Sequence, residues 1–262
     1  MFKSEKIDEY ITRILCPGNV YAYLVEGKDK SLLIDTGLGI YDLKGYIDSL
    51  TNQPYDVILT HGHLDHAGGS GQFENVYLNP KDFELAGLHT EIPIRKGYLE
   101  QNGVVVNEKD MIEKKDSYLP LLDEQVFDLG NVKVMALPMP GHTDGSMAIL
   151  MNRSILFGDA CNSLLFMQFE DCITLKEYAK NLQEFKSKYE NLYDVIYYSH
   201  PHNYGQKEIL DEMIDLCQHL VNGSIQGVPF MEGVLVGMPI NEEMKRCDGK
   251  IANVAYLEKN IR

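Results

Sequence analysis

The 262-residue sequence is short of basic residues and lacks any long apolar run. Lysine and arginine total 24 against 39 aspartates and glutamates, which gives a formal net charge of -15. Nucleic-acid surfaces and anionic membrane surfaces are both bound through clustered Lys and Arg, so neither class of partner is expected. No stretch approaches the roughly 18 apolar residues that span a bilayer. The composition therefore favours a small-molecule substrate, with no nucleic acid and no membrane partner.

The sequence also lacks the features of an exported or disulfide-stapled protein. Its five cysteines are an odd number and include no Cys-x-x-Cys pair, so reduced thiols are expected. The first ten residues, MFKSEKIDEY, contain no apolar segment of the kind found in secretory signals. A cytoplasmic location is the resulting expectation. At this length a single domain over 1–262 is expected, with a core that needs no disulfides.

Short apolar runs bounded by Pro, Gly and Asp predict β-strands, and apolar residues at helical spacing predict three helices. The predicted strands cover residues 11–16, 20–26, 30–35, 55–60, 76–78, 125–129, 132–137, 146–151, 155–157 and 193–198. The predicted helices cover residues 41–50, 174–189 and 206–221. Strands, a helix and a strand followed by histidine occur twice in this order, which indicates a coarse internal duplication.

Three stretches allow more than one interpretation. Residues 80–124 form an irregular insertion, which is either a lid or binding segment that covers the active site or a surface excursion without function. The apolar residues at 164–167 and 169 either line an apolar pocket or pack in the core, and core packing is favoured. Residues 224–262 are expected to form loops with one or two edge strands.

A cluster of metal-binding residue types follows the predicted strand 55–60. His61, His63, Asp65 and His66 fall within six residues. Imidazole and carboxylate groups are ligands that divalent zinc, iron and manganese accept. A turn directly after a strand lets alternate side chains converge on one point. The cluster therefore predicts a metal site.

Three more polar residues stand where predicted strands end. His142 lies in a Pro-Gly-His-Thr turn, Asp159 follows the strand 155–157, and His200 follows the strand 193–198. Polar side chains at the ends of buried strands mark the rim of a sheet, where α/β proteins form their sites. Each histidine alone is better explained as a capping or solvated residue, but the whole set favours metal binding.

The HxHxDH motif at residues 61–66 is followed in order by His142, Asp159 and His200, and it is preceded by LLIDTG at residues 32–37. With these motifs the sequence resembles the metallo-β-lactamase fold superfamily over residues from about 20 to 202. The resemblance implies a four-layer αββα sandwich of two mixed β-sheets flanked by helices. It implies two divalent metal ions, with zinc favoured and iron or manganese also acceptable to these ligands. One ion is implied at His61, His63 and His142, the other at Asp65, His66 and His200, with Asp159 bridging the pair.

The same resemblance draws attention to residues around these ligands. Asp35 is expected to lie behind the HxHxDH motif and orient it, with a simple turn-forming role as the alternative. His202 is expected beside the ligands or as a donor to substrate. Cys161 lies two residues after Asp159, and packing is favoured over contact with substrate.

The resemblance implies a hydrolase that uses a dinuclear, zinc-bound hydroxide. Metal binding lowers the pKa of water from about 15.7 to about 7, so hydroxide is available at neutral pH. It would attack an ester, thioester, lactone or phosphodiester of a small molecule, with Asp65 as the catalytic proton shuttle. An iron-dependent oxidoreductase similar to the persulfide dioxygenases is the alternative, and a metal-binding protein without turnover is a third hypothesis. A homodimer is left open.

The motifs do not assign the substrate. β-Lactamases are usually exported and generally lack an equivalent of Asp159. Acyl-homoserine lactonases carry a tyrosine shortly after that aspartate, where this chain has Ala160-Cys161-Asn162. Glyoxalase II holds glutathione with basic residues of a helical C-terminal region, and the bases here are few and scattered. The acidic net charge argues against the RNA-processing nucleases of the family.

Overall fold

The computed structural model describes all residues from Met1 to Arg262, and the chain divides into two units, Met1–Ala136 and Leu137–Arg262. Each unit combines mixed β-sheet with α-helices, which agrees with the predicted α/β class. None of the helices is long and apolar enough to cross a membrane.

The first unit is built on a seven-stranded sheet whose strand order follows the chain. Gly18 and Asn19 have positive φ values of 93° and 59°, and these two residue types adopt that conformation readily in hairpin turns. The strands pair antiparallel from the first to the fourth and parallel from the fourth to the seventh. They are β1 (Lys3–Lys6), β2 (Ile11–Cys16), β3 (Val20–Glu26), β4 (Ser31–Ile34), β5 (Tyr55–Ile58), β6 (Val76–Leu78) and β7 (Leu119–Pro120).

The parallel pair β4 and β5 delivers two loops to one edge of this sheet. All four residues of β4 are buried, and the strand is paired on both sides. The register sets Ile34 opposite Ile58, and the Asp35 N–H then donates to the Ile58 carbonyl at 2.9 Å. The loops that carry Asp35 and His61 therefore leave the sheet side by side.

Four helices lie between the later strands of this sheet. The helix predicted over 41–50 begins at Leu43 because the Asp42 side chain caps it, accepting from the Gly45 N–H at 2.8 Å. A hairpin of β8 (Val126–Asp128) and β9 (Lys133–Pro138) follows β7 in the chain. The helices are α1 (Leu43–Leu50), α2 (Leu64–Ala67), α3 (Phe83–His89) and α4 (Ile92–Gln101).

The 80–124 insertion is more ordered than its sequence pattern predicts, since it contains α3, α4 and the edge strand β7. Its centre is Arg95, a fully buried arginine. The guanidinium donates to four backbone carbonyls, those of Leu38, Gly39, Thr90 and Ile112. These bonds connect the insertion to the turn that follows β4. The insertion is thus ordered around a buried charged side chain, which a search for apolar periodicity does not detect.

The second unit confirms two predicted helices to within two residues. Thr174 and Glu177 form a capping box at the first helix, and Gly223, with a φ of 77°, ends the second. A tight turn at Asn152, with a φ of 55°, joins an antiparallel pair of strands, and a third strand adds parallel to it. These elements are β10 (Met147–Met151), β11 (Ser154–Leu156), β12 (Leu165–Met167), α5 (Leu175–Tyr189), β13 (Val195–Tyr197) and α6 (Glu208–Asn222).

A four-stranded sheet at the end of the chain corrects the prediction for residues 224–262. Three strands lie there, β14 (Val228–Met231), β15 (Val234–Val236) and β16 (Val254–Tyr256), where loops and one or two edge strands were expected. The prediction is wrong because β16 pairs in parallel with β12, which is remote in sequence. Leu164 packs with Val234 in the core of this sheet, so the core interpretation is confirmed for residues 164–167. It is wrong for Phe169, which is 40% exposed.

Candidate metal centre

Two histidines of the first unit bring ring nitrogens together beyond the end of β5. His61 Nε2 and His63 Nδ1 lie 3.1 Å apart, and both side chains are buried. Two nitrogens that bind one tetrahedral zinc ion at about 2.0–2.1 Å are separated by roughly 3.3 Å. The spacing of this pair therefore suits a shared metal ion.

The hydrogen bonds of Thr60 decide which nitrogen of His61 carries the proton. The Thr60 hydroxyl donates to the carboxylate of Asp35 at 2.9 Å, because an ionised carboxylate can only accept. The hydroxyl oxygen lies 3.1 Å from His61 Nδ1, and it has already used its single proton. His61 Nδ1–H must then be the donor, which leaves Nε2 as the basic nitrogen.

Asp35 fixes the tautomer of His66 in the same way. Both side chains are completely buried, and His66 Nδ1 lies 2.9 Å from Asp35 Oδ2, so the ring donates through Nδ1 and keeps its basic Nε2. Asp35 also accepts from the Thr60 N–H at 2.8 Å. Its φ of 63° lies in the left-handed region, which aspartate tolerates better than most residues. One buried carboxylate thus orients both ends of the HxHxDH loop.

Asp65 lies beside His66 at the start of α2. Its Oδ2 is 3.7 Å from His66 Nε2, and its side chain is 17% exposed while that of His66 is wholly buried. A carboxylate in this position can bind a metal ion together with the imidazole. Because it is partly exposed, it can also exchange a proton with solvent. The geometry allows both roles expected from the sequence.

The second unit carries a second set of histidine and aspartate side chains. His142 Nδ1 donates to the Phe166 carbonyl at 2.6 Å, which again leaves Nε2 as the basic nitrogen. That nitrogen is 4.0 Å from Asp159 Oδ2, and His200 Nε2 is 3.2 Å from the same oxygen. His142, Asp159 and His200 therefore cluster around one carboxylate oxygen.

His202 and Cys161 occupy different surroundings within this unit. The His202 ring stacks on His200 with 5.5 Å between centroids and 24° between planes. Burial of the ring, and then the neighbouring His200 imidazole, lower the pKa of His202. Cys161 is completely buried, and burial raises the pKa of its thiol to about 12. His202 is therefore a neighbour of a proposed ligand, whereas Cys161 is a packing residue.

Two ring contacts of these histidines were not predicted from the sequence. The His89 ring stacks on His63 with centroids 5.1 Å apart and 20° between planes. The Phe169 ring meets His142 edge-on at 6.1 Å, and Phe169 is 40% exposed. Both contacts join residues that are far apart in sequence. No local pattern could have revealed either one.

The donor chemistry of the two sets fits divalent metal ions. Together they offer five imidazoles and two carboxylates, the ligand types that zinc, iron and manganese accept. Three of the imidazoles have their tautomer set by a hydrogen bond from Nδ1, the arrangement that prepares a histidine for metal binding. In each of the three rings, Nε2 is therefore the basic nitrogen.

The chain resembles known proteins along most of its length. The family model for the metallo-beta-lactamase superfamily matches residues 17–202. Acyl-coenzyme A thioesterase MBLAC2 of Bos taurus is 28% identical over 155 residues, which cover 52% of this chain and 55% of that protein. A beta-lactamase-like protein 2 homolog of Drosophila melanogaster is 26% identical over 245 residues, 90% of this chain and 74% of that protein. The chain spans about half the length of the MBLAC2 relatives it matches.

The fold is also found among solved structures. A metallo-beta-lactamase from Pontibacter korlensis superposes with a TM-score of 0.59 at 19% identity, over 83% of this chain and 99% of that chain. A likeness at this identity speaks to the fold alone. It confirms the fold class as mixed sheets flanked by helices.

Proposed function

The chain belongs to the metallo-β-lactamase superfamily, and from this premise we propose that it is a metal-dependent hydrolase of small-molecule thioesters. The proposal has three parts, which are a dinuclear metal centre, a hydrolytic reaction and an acyl thioester as the substrate class. Each part rests on different residues and can fail separately.

The proposed centre uses the seven side chains of the two His/Asp sets. The observation that carries it is the set of Nδ1 hydrogen bonds made by His61, His66 and His142, which prepare three Nε2 lone pairs for metal ions. By the family's pattern, His61, His63 and His142 would hold one ion, Asp65, His66 and His200 would hold the second, and Asp159 would contribute to both. We propose zinc, because imidazole-rich sites with few carboxylates suit it well.

When bound, two divalent ions would lower the pKa of a coordinated water to about 7 and stabilise negative charge on the reacting group. The chain's own residues have supporting tasks. Asp65 is partly exposed and accepts and returns the proton that is released as water attacks. Asp35 and Thr60 hold His61 and His66 in the ligating tautomer. His202, stacked on His200, limits the rotation of that ligand.

The thioester assignment is supported by relatives and by one side chain. The matched mammalian relatives are named as acyl-coenzyme A thioesterases. Phe169 presents a partly exposed apolar ring next to His142, a suitable surface for the apolar chain of an acyl group. The reducing cytoplasm is the proposed location, since all five cysteines are unpaired thiols.

Thioester hydrolysis by zinc-loaded protein tests the proposal. The protein is stripped with a chelator, reloaded with zinc and given butyryl-coenzyme A, and the released thiol is measured. The assay uses the Cys247→Ser background, because the exposed Cys247 would react with the thiol reagent. We expect turnover that disappears on chelation and in His63→Ala. His219→Ala, at an exposed position of α6, is the matched control and retains activity.

Parallel substrates separate the parts of the proposal. Turnover of a methyl ester, lactone or phosphodiester in place of the thioester would keep the hydrolase and overturn the substrate class. No hydrolysis of any of these by zinc-loaded protein, together with oxygen consumption by iron-loaded protein and a persulfide, would overturn the hydrolase in favour of the iron oxidoreductase.

A further inference from the structure

The loops that carry Asp159 and His200 leave neighbouring strands of the second unit. β11 and β13 pair in parallel with Leu156 opposite Tyr197, and the Phe157 N–H donates to the Tyr197 carbonyl at 3.0 Å. Beyond the strands, Asp159 Oδ2 and His200 Nε2 lie 3.2 Å apart. Two ligand atoms on one tetrahedral zinc ion are separated by roughly 3.3 Å. The two loops therefore hold these side chains at a distance that suits a common ion.

A side-chain hydrogen bond joins the two loops further along the chain. The Ser163 hydroxyl donates to Asn203 Oδ1 at 3.1 Å, and the Asn203 N–H donates to the His200 carbonyl at 3.1 Å. Ser163 belongs to the segment that follows Asp159, and it is buried. Water therefore competes little for its hydroxyl. The bond crosses directly from the Asp159 loop to the His200 loop.

The backbone of Ser163 is held on its other side by Asn253, the residue before β16. The Asn253 N–H donates to the Ser163 carbonyl at 3.1 Å, and the Leu165 N–H donates to the Asn253 carbonyl at 2.9 Å. The buried Asn253 side chain accepts from the Met238 N–H at 3.0 Å and donates to the Met238 carbonyl at 2.9 Å. Ser163 thus connects a loop of the proposed metal centre to the C-terminal sheet.

The C-terminal segment also contacts the far end of the His200 loop. A Cβ atom at Gly205 would lie 3.1 Å from Ile251 Cγ2, so glycine allows this close approach. The Lys245 ammonium group lies over the Tyr204 ring, 5.8 Å from its centroid. Both loops are therefore supported by the same part of the chain.

This support comes from residues beyond the part of the chain that the family model matches. The match ends at residue 202, so Asn203 and Asn253 both lie outside it. The family resemblance therefore does not explain how the ends of the two loops are held. The hydrogen bonds of Ser163, Asn203 and Asn253 supply an explanation particular to this chain.

We propose that Ser163 is a positioning residue of the metal centre, whose hydroxyl acts through Asn203 to fix His200 relative to Asp159. This inference rests on the metal centre of the proposed function and adds residues that support it. Side chains that are already in place lose less conformational freedom when they bind. Loss of the bond should therefore weaken metal binding, although neither Ser163 nor Asn203 is a proposed ligand.

Three substitutions examine the bond. Ser163→Ala removes the donor, Asn203→Ala removes the acceptor and Ser163→Thr keeps the hydroxyl. Cobalt(II) is titrated into the apoproteins, and its visible absorption reports both affinity and ligand geometry. Since one hydrogen bond corresponds to about a fivefold change, we expect one of the two cobalt ions to bind about fivefold more weakly in each alanine variant. Ser163→Thr should bind as the wild type does. Ser49→Ala, which removes an exposed hydroxyl bonded to the Tyr46 carbonyl, is the matched control and should also match the wild type.

The double variant Ser163→Ala/Asn203→Ala tests whether the bond itself is responsible. If it is, the double variant loses no more cobalt affinity than either single variant, because both changes break the same interaction. Losses that add in the double variant would overturn the proposal. The melting temperature of each apoprotein is recorded as well. Unchanged cobalt affinity and absorption in both alanine variants, whatever their melting temperatures, would overturn it in favour of a purely structural bond.

The two proposals fail in different ways. If the wild type binds two cobalt ions but the zinc-loaded protein hydrolyses no thioester, the hydrolytic part of the proposed function is wrong. Ser163 is then still judged by the cobalt affinities of its variants. Thioester hydrolysis by the wild type, together with equal cobalt affinities in all variants, would overturn the role of Ser163 alone.

Discussion

The Asp35 carboxylate accepts a hydrogen bond from His66 Nδ1 at 2.9 Å, in a position from which solvent is completely excluded. Asp35 belongs to the turn after β4, and His66 belongs to α2 after β5. The bond therefore couples the two loops that leave the parallel centre of the sheet. It also sets the protonation of the His66 ring before any metal ion binds.

Removing the charge at this position should weaken metal binding. In Asp35→Asn the amide oxygen can still accept one hydrogen bond, but the negative charge that raises the basicity of His66 is lost. We expect zinc affinity to fall about 10- to 100-fold, measured by competition with a chromogenic chelator. Asp123→Asn, at an exposed loop position, is the control with wild-type affinity. Equal affinities in the two variants would show that Asp35 is only a turn residue.

Arg95 should be critical for stability. Its guanidinium is buried and bound to four backbone carbonyls, and burial lowers its pKa. Arg95→Met leaves those carbonyls without donors, and we expect the free energy of unfolding to fall by about 3 kcal/mol. Urea denaturation measures the change. Arg153→Met, which removes an exposed ion pair with Asp194, should stay close to wild type. A similar small effect at both positions would contradict the account of the insertion.

A methyl group between His61 and His63 should separate α3 from the loop. Because Cβ at Gly62 has no room next to the backbone of Asp82, we expect Gly62→Ala to lose about 1–3 kcal/mol of stability and to bind zinc more weakly. Gly87→Ala is the matched control in α3, since its Cβ meets no atom within 4 Å. That change should stabilise by up to about 1 kcal/mol. Thermal unfolding and zinc titration of both variants check the prediction, and indifference to Gly62→Ala would refute it.

Thiol reactivity should be confined to one position in the native protein. Burial raises the pKa of Cys16, Cys161 and Cys172 to about 12, and the pKa of the buried Cys217 is raised as well. Since thiolate forms only as pH approaches the pKa, almost none is present at these positions at pH 8. Iodoacetamide should therefore label Cys247 alone, as read by mass spectrometry, and all five cysteines after unfolding. Native labelling of Cys161 would contradict its burial.

The proposed ligand residues could be selected from the sequence because their chemistry is local. His61, His63, Asp65 and His66 stand together after an apolar strand, and the register of β4 and β5 brings Asp35 to the same edge. The spacing alone predicts the type of site.

The remaining features depend on contacts between distant residues. Arg95 is a charged residue that behaves as a core residue only because carbonyls from three loops surround it. His89 is an ordinary helix-terminal histidine until α3 is docked on the loop. The strand pairing of β12 with β16 is equally non-local. Periodicity reports on one element at a time, so it cannot predict these relationships.

The metal content of freshly purified protein, never exposed to chelator, tests the central claim most directly. Elemental mass spectrometry of the wild type and of Asp35→Asn gives metal equivalents per chain. The account predicts roughly two zinc ions per wild-type chain and fewer in Asp35→Asn. About one iron per chain with no zinc, unchanged by the substitution, would contradict the dinuclear hydrolase and point to oxygen or sulfur redox chemistry.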